Sequence, residues 1–169
     1  MHHLAVRNGR SVICLLACLA ISLVAHAESA PSPEQDFLYL QLQQSLSKEP
    51  NSPENPARLF ALGEYQFGMK NFAAAERFFR KADEKASGTL ALFTKVYLAR
   101  LAPYRNAADG TEARHLKEML AGRRFLSTFG KTKQETWTSV LKNRYTLIEH
   151  VDRLEVYLND AMLYTVSLP

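Results

Sequence analysis

Leu38, Leu42 and Leu46 recur every four residues through a glutamine-rich segment, with Phe37 beside them, which is the spacing of one helix face. The alternation Leu38, Leu40, Leu42 would also suit a strand. Upstream, however, Ser32, Pro33 and Gln35 form a capping-box pattern with proline at the first helical position, and this favours a helix. Pro50, Asn51, Ser52, Pro53, Asn55 and Pro56 break the pattern, with Asn55 and Pro56 placed as cap and first residue of a second helix to Met69. Its apolar positions Leu59, Phe60, Leu62 and Phe67, with the small Gly63, share one broad face.

Asn71 interrupts, and a third helix is expected over Phe72–Lys85, with Ala75, Phe78, Phe79 and Ala82 inward. Ser87 and Gly88 stop it, because glycine takes the left-handed conformation common just past a helix end. Thr89–Leu101 gives a fourth helix with Leu92, Phe93, Val96, Tyr97 and Leu101. Pro103 and the stretch 106–110 break the chain again, and Thr111 caps a fifth helix carrying Leu116, Met119, Leu120 and Phe125, closed near Gly130. From Thr132 to Leu168 there is neither glycine nor proline. Val140, Leu147, Val151, Leu154 and Leu158 recur there at spacings of three, four or seven, a heptad-like seam that predicts one long helix or two with a tight joint. The expected fold class is all-α.

Residues 59–82 resemble a tetratricopeptide repeat, a helix-turn-helix unit of about 34 residues. Leu62 and Gly63 match its leucine-glycine pair, Phe72 the aromatic that opens the second helix, and Ala75 the small residue facing the first. Phe79 matches the later aromatic and Ala82 the terminal alanine. Gly63 and Ala75 lack bulk, so two antiparallel helices can approach closely, while Phe72 and Phe79 plug gaps between neighbouring hairpins. The match departs at Gln66, which replaces the mid-helix aromatic between Tyr65 and Phe67, and at Lys70, which replaces the turn glycine. A degenerate second unit follows, with Tyr97 in place of the glycine. The resemblance implies antiparallel helical hairpins around residues 56–88, capped by the C-terminal helix or helix pair, with the inner helices lining a concave face.

The N-terminus changes the compartment. Arg7 and Arg10 precede an uncharged apolar run, Val12–Ala25, and Ala25-His26-Ala27 offers small residues at the two positions a signal peptidase reads. The run is shorter than the ~20 residues a spanning helix needs. A cleaved signal peptide at 1–27, a polar leader at 28–33 and a single helical domain at 34–166 are expected, with no membrane span after cleavage. Leu15-Leu16-Ala17-Cys18 only loosely resembles a lipobox, since Leu19–Ala25 continue the apolar run past the cysteine. Cleavage would remove Cys14 and Cys18, both of the cysteines, which excludes disulfide, thiol and zinc-thiolate chemistry. It would also remove Arg7 and Arg10, lowering the formal net charge of +4 by two.

Candidate chemistry is sparse. His115 and His150 are the histidines beyond the signal, and Glu112 with His115 has the E-x-x-H spacing of half a carboxylate di-metal site. The matching half is missing, because Leu147 stands three residues before His150. Neither a zinc-protease H-E-x-x-H, a G-x-S-x-G elbow nor a phosphate-cradling glycine loop occurs, and Asp83-Glu84 beside Lys81 and Lys85 reads as surface charge. No enzyme, metal or cofactor is expected. Residues 105–144 are basic through Arg105, Arg114, Lys117, Arg123, Arg124, Lys131, Lys133, Lys142 and Arg144, and Glu149, Asp152, Glu155 and Asp160 make the end acidic. A basic region can meet an acidic partner, anionic lipid or nucleic acid, or pair within the chain, and export argues against nucleic acid. Trp137 is the lone tryptophan, suited to core packing or to anchoring a partner.

The sequence thus predicts an exported, non-catalytic helical scaffold that binds a protein or peptide in the periplasm or outside the cell, as an accessory part of an envelope assembly. Tyr65, Gln66 and Lys70 on the first repeat helix, with Arg123 and Arg124, are the candidate contacts. Two other readings are a small metal-binding or enzymatic module at Glu112 and His115, and a homo-oligomer joined through 140–158.

Overall fold

A computed structural model describes residues 31–105, 111–123 and 133–167. Five helices come first: α1 (Pro33–Lys48), α2 (Asn55–Gly68), α3 (Phe72–Asp83), α4 (Gly88–Leu101) and α5 (Thr111–Arg123), with a short 3-10 turn at Ala102–Arg105. Four strands follow: β1 (Lys133–Thr138), β2 (Arg144–Glu149), β3 (Arg153–Leu158) and β4 (Ala161–Ser167). They form one antiparallel sheet in the order β1-β2-β3-β4. The fold is therefore mixed α/β. The expected all-α class, the helical domain reaching to 166 and the long C-terminal helix with its seam through 140–158 are all incorrect.

The helical half follows its local signals. Ser32 accepts from the Gln35 amide while the Gln35 side chain accepts from the Ser32 amide, closing the expected capping box. Asn71 caps α3 by accepting from the Ala74 amide. Asn55 lies inside α2 rather than capping it, and its buried side chain donates to the Glu49 carbonyl at 2.8 Å. Gly88 has φ +57 at the junction of α3 and α4, a conformation that costs a glycine least. Between α2 and α3 the approach is close enough that a Cβ at Gly63 would meet the Phe79 ring at 2.6 Å. Ala75 and Ala82 are buried against the same junction.

The sheet half follows a different period. Tyr145, Leu147 and Glu149 on β2 and Leu154 and Val156 on β3 are buried at every second position. Leu147 and Leu154 are seven apart, yet the chain reverses between them, so that Leu147 pairs with Val156 and Glu149 with Leu154. Val140 lies in the β1–β2 turn and Val151, largely exposed, in the β2–β3 turn. The β3–β4 turn is Asn159-Asp160, with φ +48 and +68, the backbone of a two-residue type I′ hairpin. A bulge then offsets β3 from β4: Val156 pairs with Tyr164 but Tyr157 with Met162, leaving Leu163 as the extra residue, buried.

The two halves meet on aromatic rings. Phe60 of α2 stands edge-on to Phe79 of α3, Tyr97 of α4, Trp137 of β1 and Tyr145 of β2, with ring centroids 5.4–5.9 Å away. Trp137 also stacks on Phe93 at 5.5 Å, so it is packed into the helix–sheet interface, the core role of the two considered for it. Offset and edge-on ring contacts of this kind add about 0.5–1.5 kcal/mol each beyond area burial.

Candidate functional site

One polar cluster sits inside this apolar interface. Glu64 follows Phe60 by four residues and precedes Phe67 by three, so helical geometry points its carboxyl at the core along with those rings. The Tyr145 hydroxyl of β2 donates to Glu64 Oε1, and Asn143 Nδ2 of the β1–β2 turn donates to the same oxygen at 3.0 Å. Tyr97 OH of α4 lies 2.8 Å from Tyr145 OH and extends the chain of hydrogen bonds. Ser139 stands close enough to act on the Glu64 carboxyl as a hydrogen-bonding group. Even so, Glu64 Oε2 and Ser139 Oγ are both buried without a hydrogen bond of good geometry.

The β1–β2 turn is built to hold these groups. The Ser139 amide donates to the Asn143 carbonyl at 2.9 Å, the Lys142 amide donates to the Ser139 carbonyl at 3.0 Å, and Lys142 has φ +65. Between them Leu141 packs into the small apolar cluster with Leu42, Ala61 and Leu62.

Burial pushes the Glu64 carboxyl up to about 7, outweighing Tyr145, Asn143 and Ser139, whose hydrogen bonding favours its charged form. Burial and the neighbouring Glu64 carboxyl push the Tyr145 phenol well above its ordinary value. A carboxyl and a phenol that both resist charging make a neutral network stable in a low-dielectric interior.

Beside this network lies a cavity of about 200 Å³ between α2, the β1–β2 turn and the β3–β4 hairpin. Glu64, Tyr97 and Asn143 form part of its wall, Arg100 of α4 contributes its charge, and the bulge residue Leu163 lines the far side. The Arg100 guanidinium lies 5.0 Å above the Phe67 ring. A space of this size takes one ring or one amino-acid side chain, by comparison with a ~150 Å³ cavity that holds benzene. Among the described residues lining it, Glu64 is the one acid.

The sequence-derived contacts fall differently. Tyr65 stacks on Tyr39 at 4.1 Å and donates to Asp36 at 2.7 Å, and that hydrogen bond, with some burial, pushes its phenol up to about 12. Gln66 donates to Tyr39 OH and accepts from Asn71, so it ties α1, α2 and the α2–α3 turn together. Tyr65 also borders the cavity, whereas Lys70 is exposed at the α2–α3 turn with φ +59. Arg124 lies outside the described residues, and Arg123 ends α5 without a described side chain. Of the repeat positions, Leu62, Gly63, Ala75, Phe79 and Ala82 are buried, and Phe72 packs between Phe67 and Tyr104. His115 is exposed on α5, and among the described residues no three His, Cys, Asp or Glu side chains gather as a metal site. Among the described residues, the basic and acidic runs meet where Arg144 pairs with Asp160.

Glu64, Tyr97, Ser139, Asn143 and Tyr145 were all missed as a group. The usable signal was Glu64 itself, a charged residue on the apolar face between Phe60 and Phe67. Compared with protein-family models, with curated proteins and with solved structures, the chain finds no match.

Proposed function

We propose that this chain is a non-catalytic binding module that takes one side chain of a protein or peptide partner into the cavity beside Glu64. The observation that carries the reading is the coincidence of a preformed space of about 200 Å³ with a buried carboxyl that lines it. Binding sites are characteristically concave, mostly apolar and furnished with a few fixed polar groups. Here Phe67, Leu141, Leu158, Met162 and Leu163 supply the apolar wall, and Glu64, Tyr97, Arg100 and Asn143 the polar one. An exported location remains part of the proposal, supported by Arg7, Arg10 and the run Val12–Ala25, which lie outside the described residues. Among the described residues no helix is long and apolar enough to cross a membrane. Tetratricopeptide-like packing of α2 against α3 belongs to the same proposal, supported by the Gly63–Phe79 approach.

The test is selection of peptides from a random display library against the protein, followed by binding of the selected peptides to wild type and to Ala161→Phe. Ala161 lines the cavity on β4, and the added ring fills it. A loss of about tenfold or more in the variant, with unchanged thermal unfolding, is the expected result. Failure to select any peptide, or peptides indifferent to Ala161→Phe, overturns the reading.

A further inference from the structure

We infer that Glu64 is held in the fold as the neutral acid, donating its Oε2–H to Ser139 Oγ, and that this proton latches the wall of the binding cavity. The regulatory consequence rests on the proposed function of that cavity; the latch itself does not. Glu64 Oε1 already accepts from Tyr145 and Asn143, so its needs are met. Glu64 Oε2 and Ser139 Oγ are the two buried atoms of the cluster left over. A carboxylate oxygen can only accept, whereas a hydroxyl can accept or donate. With the proton on Oε2, a small adjustment of the Ser139 side chain gives both leftover atoms a partner, and the charge is removed from a site that water barely reaches.

The titratable and charged groups facing Glu64 agree with this arrangement. From β2 comes the Tyr145 phenol and from α4 the Tyr97 phenol, with Arg100 of α4 and Tyr65 of α2 on the same cavity. The shift of the Glu64 carboxyl has burial as its first cause and no neighbouring cation among its causes. Once the proton leaves, the cheapest relief is hydration from the cavity side, where Glu64, Leu141 and Asn143 share one wall. Water entering there works against the Ser139–Asn143 turn, and the cavity loses the shape that holds a ligand. The protonated form is the binding form, and binding weakens as pH rises.

Carboxyl carbon NMR of the glutamates between pH 5 and 9, with amide spectra on the same samples, tests the latch. In wild type the Glu64 carboxyl is expected to titrate with a midpoint of about 7, and the Leu141, Lys142 and Asn143 amides to follow it. The protection factor of the Lys142 amide, with the intrinsic pH dependence of exchange divided out, should fall about tenfold above that midpoint. E64Q, whose amide group donates to Ser139 at every pH, should show none of these changes. In S139A the midpoint should fall, because the neutral acid loses its acceptor; a rise would mean that Ser139 donates to the carboxylate and would overturn the latch. So would turn amides that ignore the Glu64 titration. A selected peptide should bind wild type about tenfold more weakly at pH 8.5 than at pH 6, and E64Q equally at both. Peptides sensitive to Ala161→Phe but indifferent to pH leave the binding reading standing and sink the latch. A titrating turn with peptides indifferent to Ala161→Phe does the reverse.

Discussion

The Tyr145 hydroxyl donates to Glu64 Oε1, joining the second strand to the second helix between residues 81 apart in the chain. Around that contact, Tyr97 brings in α4 and Asn143 brings in the β1–β2 turn. The helical half and the sheet half thus share one buried polar joint, set among the rings that surround Phe60.

Tyr145→Phe keeps the ring and removes the joint. Glu64 Oε1 loses one of two donors and Tyr97 OH loses its hydrogen bond to Tyr145, both in the interior. The cost is about 1–3 kcal/mol, the penalty for stranding buried polar groups, read as a lower midpoint in urea unfolding.

The stability profile with pH carries the sign of the Glu64 shift. Its carboxyl ionises near 4.5 in the unfolded chain and at about 7 in the fold. Its contribution is fully present below 4.5 and is lost as pH rises to about 7. The loss amounts to roughly 3 kcal/mol. Relative to E64Q, wild type should therefore weaken between those values and hold steady above them, as chemical denaturation at a series of pH values will measure.

Gly63→Ala tests the close approach of α2 and α3. The new Cβ would stand 2.6 Å from Phe79, whose ring is fully buried and stacked on Tyr97 at 4.6 Å, so it has nowhere to turn. Overpacking of this kind costs about 1–3 kcal/mol. A visible fall in the thermal unfolding midpoint is expected despite alanine's better helix propensity.

The β3–β4 turn gives an opposite pair of outcomes. Asn159 accepts from the Arg144 amide at 2.9 Å while holding φ +48, so Asn159→Val should cost at least about 1 kcal/mol. Asp160→Gly removes backbone strain at φ +68 but gives up the exposed pair with Arg144, and should be near neutral. Urea midpoints of the two variants check both.

This turn also explains why the helical half was legible and the sheet was not. Ser32, Pro33, Gln35, Asn71 and Gly88 signal locally, and each sits at a helix boundary. The sheet turns at Ser139–Asn143, His150–Asp152 and Asn159-Asp160 use neither glycine nor proline, so a search for those two residues finds an unbroken segment. Leu147, Leu154 and Leu158 then imitate a helical seam because the β2–β3 reversal returns the inward face after seven residues and alternation within β3 repeats it after four. The better signal was the alternation in Arg144–Glu149 and Arg153–Leu158, both rich in β-branched or aromatic residues. The site was hidden for a related reason. Glu64 and Tyr145 meet only through the helix–sheet contact, so an all-helical reading could not bring them together.

Amide chemical-shift mapping of the protein with a selected peptide tests the binding account most directly. The largest changes are expected at Gly68, Asn143 and Leu163, which line the cavity from three different elements. Changes confined to α5, with those three amides unmoved at saturating peptide, would contradict it.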